Sequence, residues 1–431
     1  MILLWSSLPT NLQIKSDPMA NVNSIKSCEV CRSTDLDSIL NLGLHPLCDD
    51  LVLLDEARQC IEYPIEILYC EGCATAHQRF QISKQDLFPR TYHYRPRFTA
   101  DVLNGMSALV DACEGHFGSK LTDKLILDVG CNDGSLLDFF CKKGAKTVGI
   151  EPTGAYSDGL GKGHSLYNEY LSTNLAKEIL AVHGTPDIIT FTNVFAHIEN
   201  LPEMVNSLKV LMSPTTMLVI ENHYLGSVLE RNQFDTFYHE HLRTYSLTSF
   251  QHIAKSLGVS LNAVEFPSRY GGNIRVFLGK PVVSTAENRK LFQSVLLAEA
   301  HFGKQLHKMQ SQVESWKNLM GIRIRELVAK HGRLSGKAFP GRAAILIKLL
   351  DLDVDMIEAI YEKPGSMKIG HYLPGTHIPI RDETELFSSM HPPAVILNLA
   401  WHISDEIRQY CNEKGYKGEI VDILDSRELT P

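Results

Sequence analysis

Two periodicities divide the chain. Between residues 124 and 221, short apolar runs alternate with stretches of helical spacing. Lys124-Leu-Ile-Leu-Asp128, Thr147-Val-Gly-Ile-Glu151, Pro186-Asp-Ile-Ile-Thr-Phe-Thr192 and Thr216-Met-Leu-Val-Ile-Glu221 read as buried strands. Ser135–Lys143 reads as a helix between the first two. Alternation at this length predicts a parallel, doubly wound α/β sheet. Before it, Val102, Leu103, Met106, Leu109 and Val110 fall on one side of a helix over residues 100–118. After it, Leu261–Phe266 and Ile274–Leu278 are strand candidates for the sheet edge. Residues 283–331 keep helical spacing without proline and predict one long helix or a broken pair. Beyond Gly332 a second α/β pattern begins. Its strands are expected at Ala338-Phe339, Ile357–Tyr361 and Ala394–Leu399, with a turn-rich loop at Tyr372–Pro379.

The N-terminal part is built differently. Tyr63-Pro-Ile-Glu-Ile-Leu-Tyr69 alternates with period two among turn residues. Residues 26–90 are too few for a large core, so a metal clamp is expected to hold them. The patterns divide the chain into a disordered tail (1–25), a metal-clamped unit (26–92), a large α/β domain (93–282), a helical connector (283–332) and a smaller C-terminal α/β domain (333–431).

Composition narrows the class. A chain of 431 residues exceeds one ordinary domain, and 44% apolar with 21% charged residues is normal for soluble globular protein. The net charge of −8, without a basic stripe, argues against a nucleic-acid partner. No segment is apolar for long enough to span a bilayer. Met1-Ile-Leu-Leu-Trp5 lacks the basic leader and length of a signal peptide, and Met19 is an alternative start. Ten cysteines, four of them in two tight pairs, suit a reducing cytoplasm with one metal site and free thiols.

Cys28-x2-Cys31 and Cys70-x2-Cys73 carry the strongest chemical signal. Each short gap lets two thiolates reach one ion, and two such turns complete a tetrahedral sulfur shell suited to structural Zn²⁺. The second motif is Asp128-Val-Gly130-Cys-Asn132-Asp133-Gly134, between strand and helix. Its glycines let backbone approach a ligand, and Glu151 at the next strand end suits a ribose diol. The third is Tyr238-His239-Glu240-His241. Imidazole titrates near neutral pH, which favours a general base, and a metal site is the alternative. Thr192-Asn193-Val-Phe-Ala-His197 ends a strand, where α/β sheets bind ligands. Arg269-Tyr-Gly-Gly-Asn-Ile-Arg275 could meet a phosphate or form a plain hairpin with surface arginines.

From Cys28 to about Leu424 these segments resemble the deoxysugar C-methyltransferases. The paired CxxC resembles that family's zinc-binding domain. Asp128–Gly134, Asn193–His197, Phe234–Leu242 and Gly271-Gly272 with Arg275 resemble its central motifs. Pro374–Pro379, Ala400-Trp401 and Glu406-Ile407 resemble its C-terminal domain. The resemblance implies a Rossmann-like class I methyltransferase domain between the zinc-binding domain and a smaller C-terminal α/β substrate domain. The cofactor it implies is S-adenosyl-L-methionine (SAM), held by Asp128, Gly130, Asn132, Asp133, Gly134, Glu151, Asn193 and, against adenine, Tyr170. The substrate it implies is a nucleoside-diphosphate 4-keto-6-deoxysugar, methylated at C3 through an enolate. His241 is the implied base, and Tyr238, Glu240 and His197 orient the sugar or stabilise the enolate. Tyr94 is a further site tyrosine, with Tyr92 competing. Asn222, Tyr224, Arg269, Arg275 and Arg342 are candidates for substrate contact. The chain departs from the family pattern at Gly272-Asn273 and at Lys337-Ala-Phe-Pro-Gly-Arg342, which bears on how the sugar nucleotide is held. The protein is expected to be a monomer or weak homodimer. A sugar O-methyltransferase and a non-catalytic zinc- and SAM-binding scaffold are the competing readings.

Overall fold

A computed structural model describes residues 22–88, 95–98, 100–268, 271–281 and 286–425. The central sheet runs in the order Leu261–Glu265, Asn273–Gly279, Met217–His223, Ile188–Thr192, Leu125–Val129, Lys146–Ile150, Ser165–Tyr167. The last five are mutually parallel, and the first two form an antiparallel edge. Strand order turns back between Leu125–Val129 and Ile188–Thr192. A crevice opens at the carboxyl ends there, because the connecting chains diverge to opposite sides.

The N-terminal sheet holds Asp37–Pro46, Glu62–Cys70 and Thr75–Gln78. Its fourth strand, Arg243–Thr244, is borrowed from the segment just after His241. Val22–Ser24, expected within the tail, pairs antiparallel with Phe80–Ile82. The connector is a broken pair of helices, Ala286–Glu299 and Phe302–His331. At the break, the buried Glu299 carboxylate accepts from the Leu247 and Thr248 N–H groups and from the Thr248 and Tyr224 hydroxyls. An anion there complements the positive end of helix Leu247–Leu257. Gly303 lies near the start of the second helix, against the Glu71 side chain of the N-terminal unit.

The C-terminal sheet is parallel throughout, in the order Ile380–Asp382, Ile357–Glu362, Leu334–Lys337, Val395–Asn398, Glu419–Asp422. Its first strand is not at Ala338-Phe339 as expected but ends at Lys337, where Ala338 turns out with φ +60°. Lys337 is buried against Glu383 at 2.8 Å, so a charged residue occupies a core position and masks the apolar pattern. His371-Tyr372, which leads into the turn-rich loop, pairs with Val52-Leu53 of the N-terminal unit.

One apolar cluster joins all the parts. It runs from Ile65 and Tyr69 through Phe234 and Phe237 to Trp316, Leu346 and Leu397. A buried ion pair reinforces it: Arg342 Nε and Nη2 donate to both Asp235 carboxylate oxygens, and Trp401 Nε1 donates to the same group at 2.9 Å. Arg342→Met should leave the fully buried Asp235 carboxylate without its cation. Loss of one partner of such a pair costs about 3–5 kcal/mol, so the urea midpoint should drop markedly, and an unchanged midpoint would refute the role given to the pair.

Candidate active site and metal centre

Cys28, Cys31, Cys70 and Cys73 bring their sulfurs within 4.8 Å of one another. The pairs Cys28–Cys73 and Cys31–Cys70 are 3.4 and 3.5 Å apart. A tetrahedral Zn²⁺ with bonds of about 2.3 Å sets ligand separations of about 3.8 Å, so a small adjustment admits the ion. The two turns are built alike. Arg32 (φ +71°) and Ala74 (φ +50°) each follow the second cysteine and reverse the chain. His77 Nε2 lies 3.3 Å from Cys28 Sγ, and the Thr75 hydroxyl 3.0 Å from Cys73 Sγ, giving the sulfurs polar neighbours. Four protein ligands leave no open position, which suits a structural metal rather than a reacting one.

At the sheet's switch point lies a cavity of about 340 Å³. Asp128, Gly130, Asn132, Glu151, Tyr170, Asn193, His197, Tyr238 and His241 all face it, so the sequence motifs converge on one space. Gly130 has φ +76°, and a Cβ on it would sit 2.5 Å from Val194 Cγ2. The turn therefore needs glycine. Glu151 is buried at its strand end, accepting from the Asn132 and Thr153 N–H groups at 2.9 and 2.8 Å. Asp128 accepts from the Thr190 hydroxyl at 2.7 Å, and burial, with Glu151 nearby, raises its carboxyl to about 7. Tyr170 lies under the Lys84 ammonium, 4.3 Å from its ring centroid. These groups could hold SAM: a carboxylate for a ribose diol, a close backbone turn and an aromatic face.

The far wall is made of histidines. His241 Nδ1 lies 2.9 Å from the Thr236 carbonyl, which can only accept, so Nδ1 carries the proton. Its Nε2 is therefore the acceptor for the Tyr238 hydroxyl at 2.9 Å. His197 Nδ1 likewise donates to the Glu240 carbonyl at 2.6 Å. The rings of His197 and His223 each lie 5.1 Å from that of His241. Burial first, and then these neighbouring rings, hold His241 well below the ordinary histidine range, so it is neutral at physiological pH. Burial also pushes the Tyr238 phenol well above its usual value.

Other candidates lie elsewhere. Asp133 is turned from the cavity, accepting from the Ser135 N–H and hydroxyl, and Gly134 (φ +77°) merely opens helix Ser135–Lys142. The Glu240 side chain is buried away from the cavity wall, where burial raises its carboxyl to about 8. Asn222 is buried off the wall, and the Tyr224 hydroxyl is spent on Glu299. Arg275 does not reach toward a phosphate: Glu221 takes its Nε and Nη2 at 2.7 Å and Glu265 its Nη1 at 2.8 Å. Arg342 is committed to Asp235. Tyr92, Tyr94 and Arg269 lie outside the described residues. His223 was not among the expected residues although it lines the cavity. It sits between Asn222 and Tyr224, so strand alternation points it the other way from both. Its place at the carboxyl end of a parallel strand is the signal that could have found it.

A glycine turn and a strand-end carboxylate at the switch point of a doubly wound sheet are the frame of a Rossmann-like methyltransferase. Similarity to known proteins specifies the reaction. Residues 93–263 match the family model described as "Methyltransferase domain" and residues 268–421 that described as "C-methyltransferase C-terminal domain". Residues 28–88 match the one described as "Putative zinc binding domain". The chain is 28% identical over 405 residues to the C-methyltransferase NovU of Streptomyces niveus, covering 92% of this chain and 94% of that one. By these domain matches and this similarity the protein is a SAM-dependent C-methyltransferase. Among solved structures, it is similar to magnesium protoporphyrin IX methyltransferase of Synechocystis PCC 6803 with bound SAH (15% identity, TM-score 0.32, 42% of this chain and 82% of that one). A SAM-dependent methyltransferase from Archaeoglobus fulgidus gives 12% identity and a TM-score of 0.34 over 41% and 94%. Overlaps this loose bear on neither substrate nor mechanism. Among the described residues no helix is long and apolar enough to cross a membrane.

Elemental mass spectrometry of the purified protein should find about one zinc per chain. Cys73→Ser should lower that content and the melting temperature together, because binding energy of a structural metal is folding energy. Full zinc content in Cys73→Ser would refute the four-sulfur site.

Proposed function

We propose that the protein methylates a carbon next to a ketone in a nucleoside-diphosphate 4-keto-6-deoxysugar, with C3 as the acceptor. The observation that carries this reading is the hydrogen-bonded His241–Tyr238 pair facing the same cavity as Glu151. Carbon is a poor nucleophile until a proton leaves it, and a ketone makes that proton removable by holding the charge on oxygen. A C-methylating site therefore needs a base and a donor for the oxyanion in one place. His241 Nε2 takes the C3 proton as the C–H bond breaks and its electron pair moves into the enolate. The Tyr238 hydroxyl, freed from Nε2, turns its hydrogen to the developing oxyanion. His197, fixed through Nδ1 to the Glu240 carbonyl, lines the same space. Bound SAM supplies an electrophilic methyl group, made so by its sulfonium charge. Glu151 and Tyr170 hold the nucleoside end of SAM, and Gly130 keeps the turn close. The sugar nucleotide itself is supported by the family resemblance of the motifs from Cys28 to Leu424.

With SAM and nucleoside-diphosphate 4-keto-6-deoxysugars in deuterated water, mass spectrometry should find one methyl gained on carbon. A methyl group found on oxygen would replace this reading with O-methylation. Neither exchange nor methylation on any such sugar, with SAM bound, would overturn the keto-sugar reading. His241→Ala should lower turnover by about 10²- to 10⁴-fold while SAM still binds. Glu151→Ala should instead weaken SAM by about 10- to 100-fold in calorimetry, the worth of one or two charge-assisted hydrogen bonds. The base must be unprotonated to work, and His241 is held below the ordinary histidine value of about 6.5. Its acid limb in kcat/KM should therefore fall below that pH, and half-loss at or above it would refute the buried neutral base.

A further inference from the structure

Arg243 is fully buried, two residues beyond His241 and at the seam between two domains. Its Nη1 donates to the Ile198 carbonyl and its Nη2 to the Glu199 carbonyl at 3.2 Å. Its other face meets Glu29, with Nη2 3.1 Å from Oε1 and Nε 3.0 Å from Oε2. Glu29 stands between Cys28 and Cys31 and also accepts from Gln81 Nε2 at 2.8 Å. On the backbone, Arg243 pairs with His77, whose ring touches Cys28 Sγ. One guanidinium thus grips the metal knuckle and the two carbonyls that directly follow His197, while its own main chain leads back to His241.

We propose that Arg243 is a positioning residue for methyl transfer: with Glu29 it ties His197 and His241 to the zinc knuckle, so that the metal-clamped domain sets the spacing of the two cavity histidines. The planar, forked donor set of arginine reaches a carboxylate and two carbonyls at once, and lysine cannot span the three. Burying the charge is costly unless its donors are matched, and the groups that accept from Nη1 and Nη2 here are those that place the histidines and the metal knuckle. The effect on catalysis rests on the proposed role of His241, but the structural coupling does not.

The test uses full-length, zinc-loaded protein carrying Arg243→Lys or Glu29→Gln, with [13Cε1]histidine labelling. The signals of His197 and His241 are assigned from His197→Gln and His241→Gln. Both test variants should move or broaden those two signals and leave the remote His183 and His331 in place. Zinc content and SAM affinity should stay within about twofold, and turnover should fall about tenfold or more with little change in KM, as expected for misplaced reacting groups. Unmoved signals would overturn the proposal, whatever happens to turnover. So would loss of zinc in step with the signal shifts, which would make the pair a support for the metal alone. If Arg243→Lys does not fold, Glu29→Gln decides, because it keeps the arginine and the side-chain size. Shifted signals with no methylation of any keto-sugar by the parent protein would refute the sugar reading and leave the positioning role standing.

Discussion

The segment from Phe234 to Leu242 brings Tyr238 and His241 to the cavity, yet it has only one 3-10 turn of its own and is held from outside at several steps. The C-terminal domain grips Asp235 through Arg342 and Trp401. The N-terminal unit holds the other end. Gln78 Nε2 donates to the Phe237 and Tyr238 carbonyls, and the Gln78 N–H donates to the Leu242 carbonyl at 2.9 Å. Irregular backbone can be buried only if its polar groups find partners. Some of those partners lie within the segment or on His197, others come from Gln78 of the N-terminal unit, and the C-terminal domain adds its hold on the Asp235 carboxylate. The shared apolar core and the borrowed strand Arg243–Thr244 follow from that requirement.

The same dependence gives the metal a place in the architecture without a place in the chemistry. The N-terminal unit is small, and the sulfur cluster packs among Tyr245, Leu247 and Phe250 of the central domain. A small sheet that must hold two carbonyls beside the cavity residues Tyr238 and His241 needs rigidity that its own core cannot supply. The metal shell supplies it, and Glu29 carries that rigidity across the seam.

Much of this was legible in the sequence where the pattern is apolar and local. The strand expected at 147–151 is Lys146–Ile150, that at 186–192 is Ile188–Thr192, and the helix expected over 100–118 is Ala100–Phe117. The paired cysteines meet because short turns leave little freedom. What resisted reading was charge in buried places. Lys337 hid a strand by pairing with Glu383. Arg275 and Arg342 resemble anion-binding arginines in sequence, and only the fold shows their charges consumed by Glu221, Glu265 and Asp235. Asp133 sits in a ligand-binding motif but caps its own helix. His223 ends a strand whose run Met217–Ile220 is apolar on both faces, so only its strand-end place marks it.

Burial also reconciles a basic cavity wall with a cationic methyl donor. Three histidine rings close to a sulfonium would repel it if charged. Burial holds His197 and His241 below their ordinary values and His223 down to about 3, so the wall is basic in function and neutral in charge. A positive cofactor entering the cavity disfavours a second positive charge and keeps His241 unprotonated. On the proposed mechanism the wall becomes cationic only when His241 takes a proton from the substrate, and the enolate formed in the same step meets the new charge. Low dielectric penalises ions in every other state of the cavity and strengthens their pairing in this one.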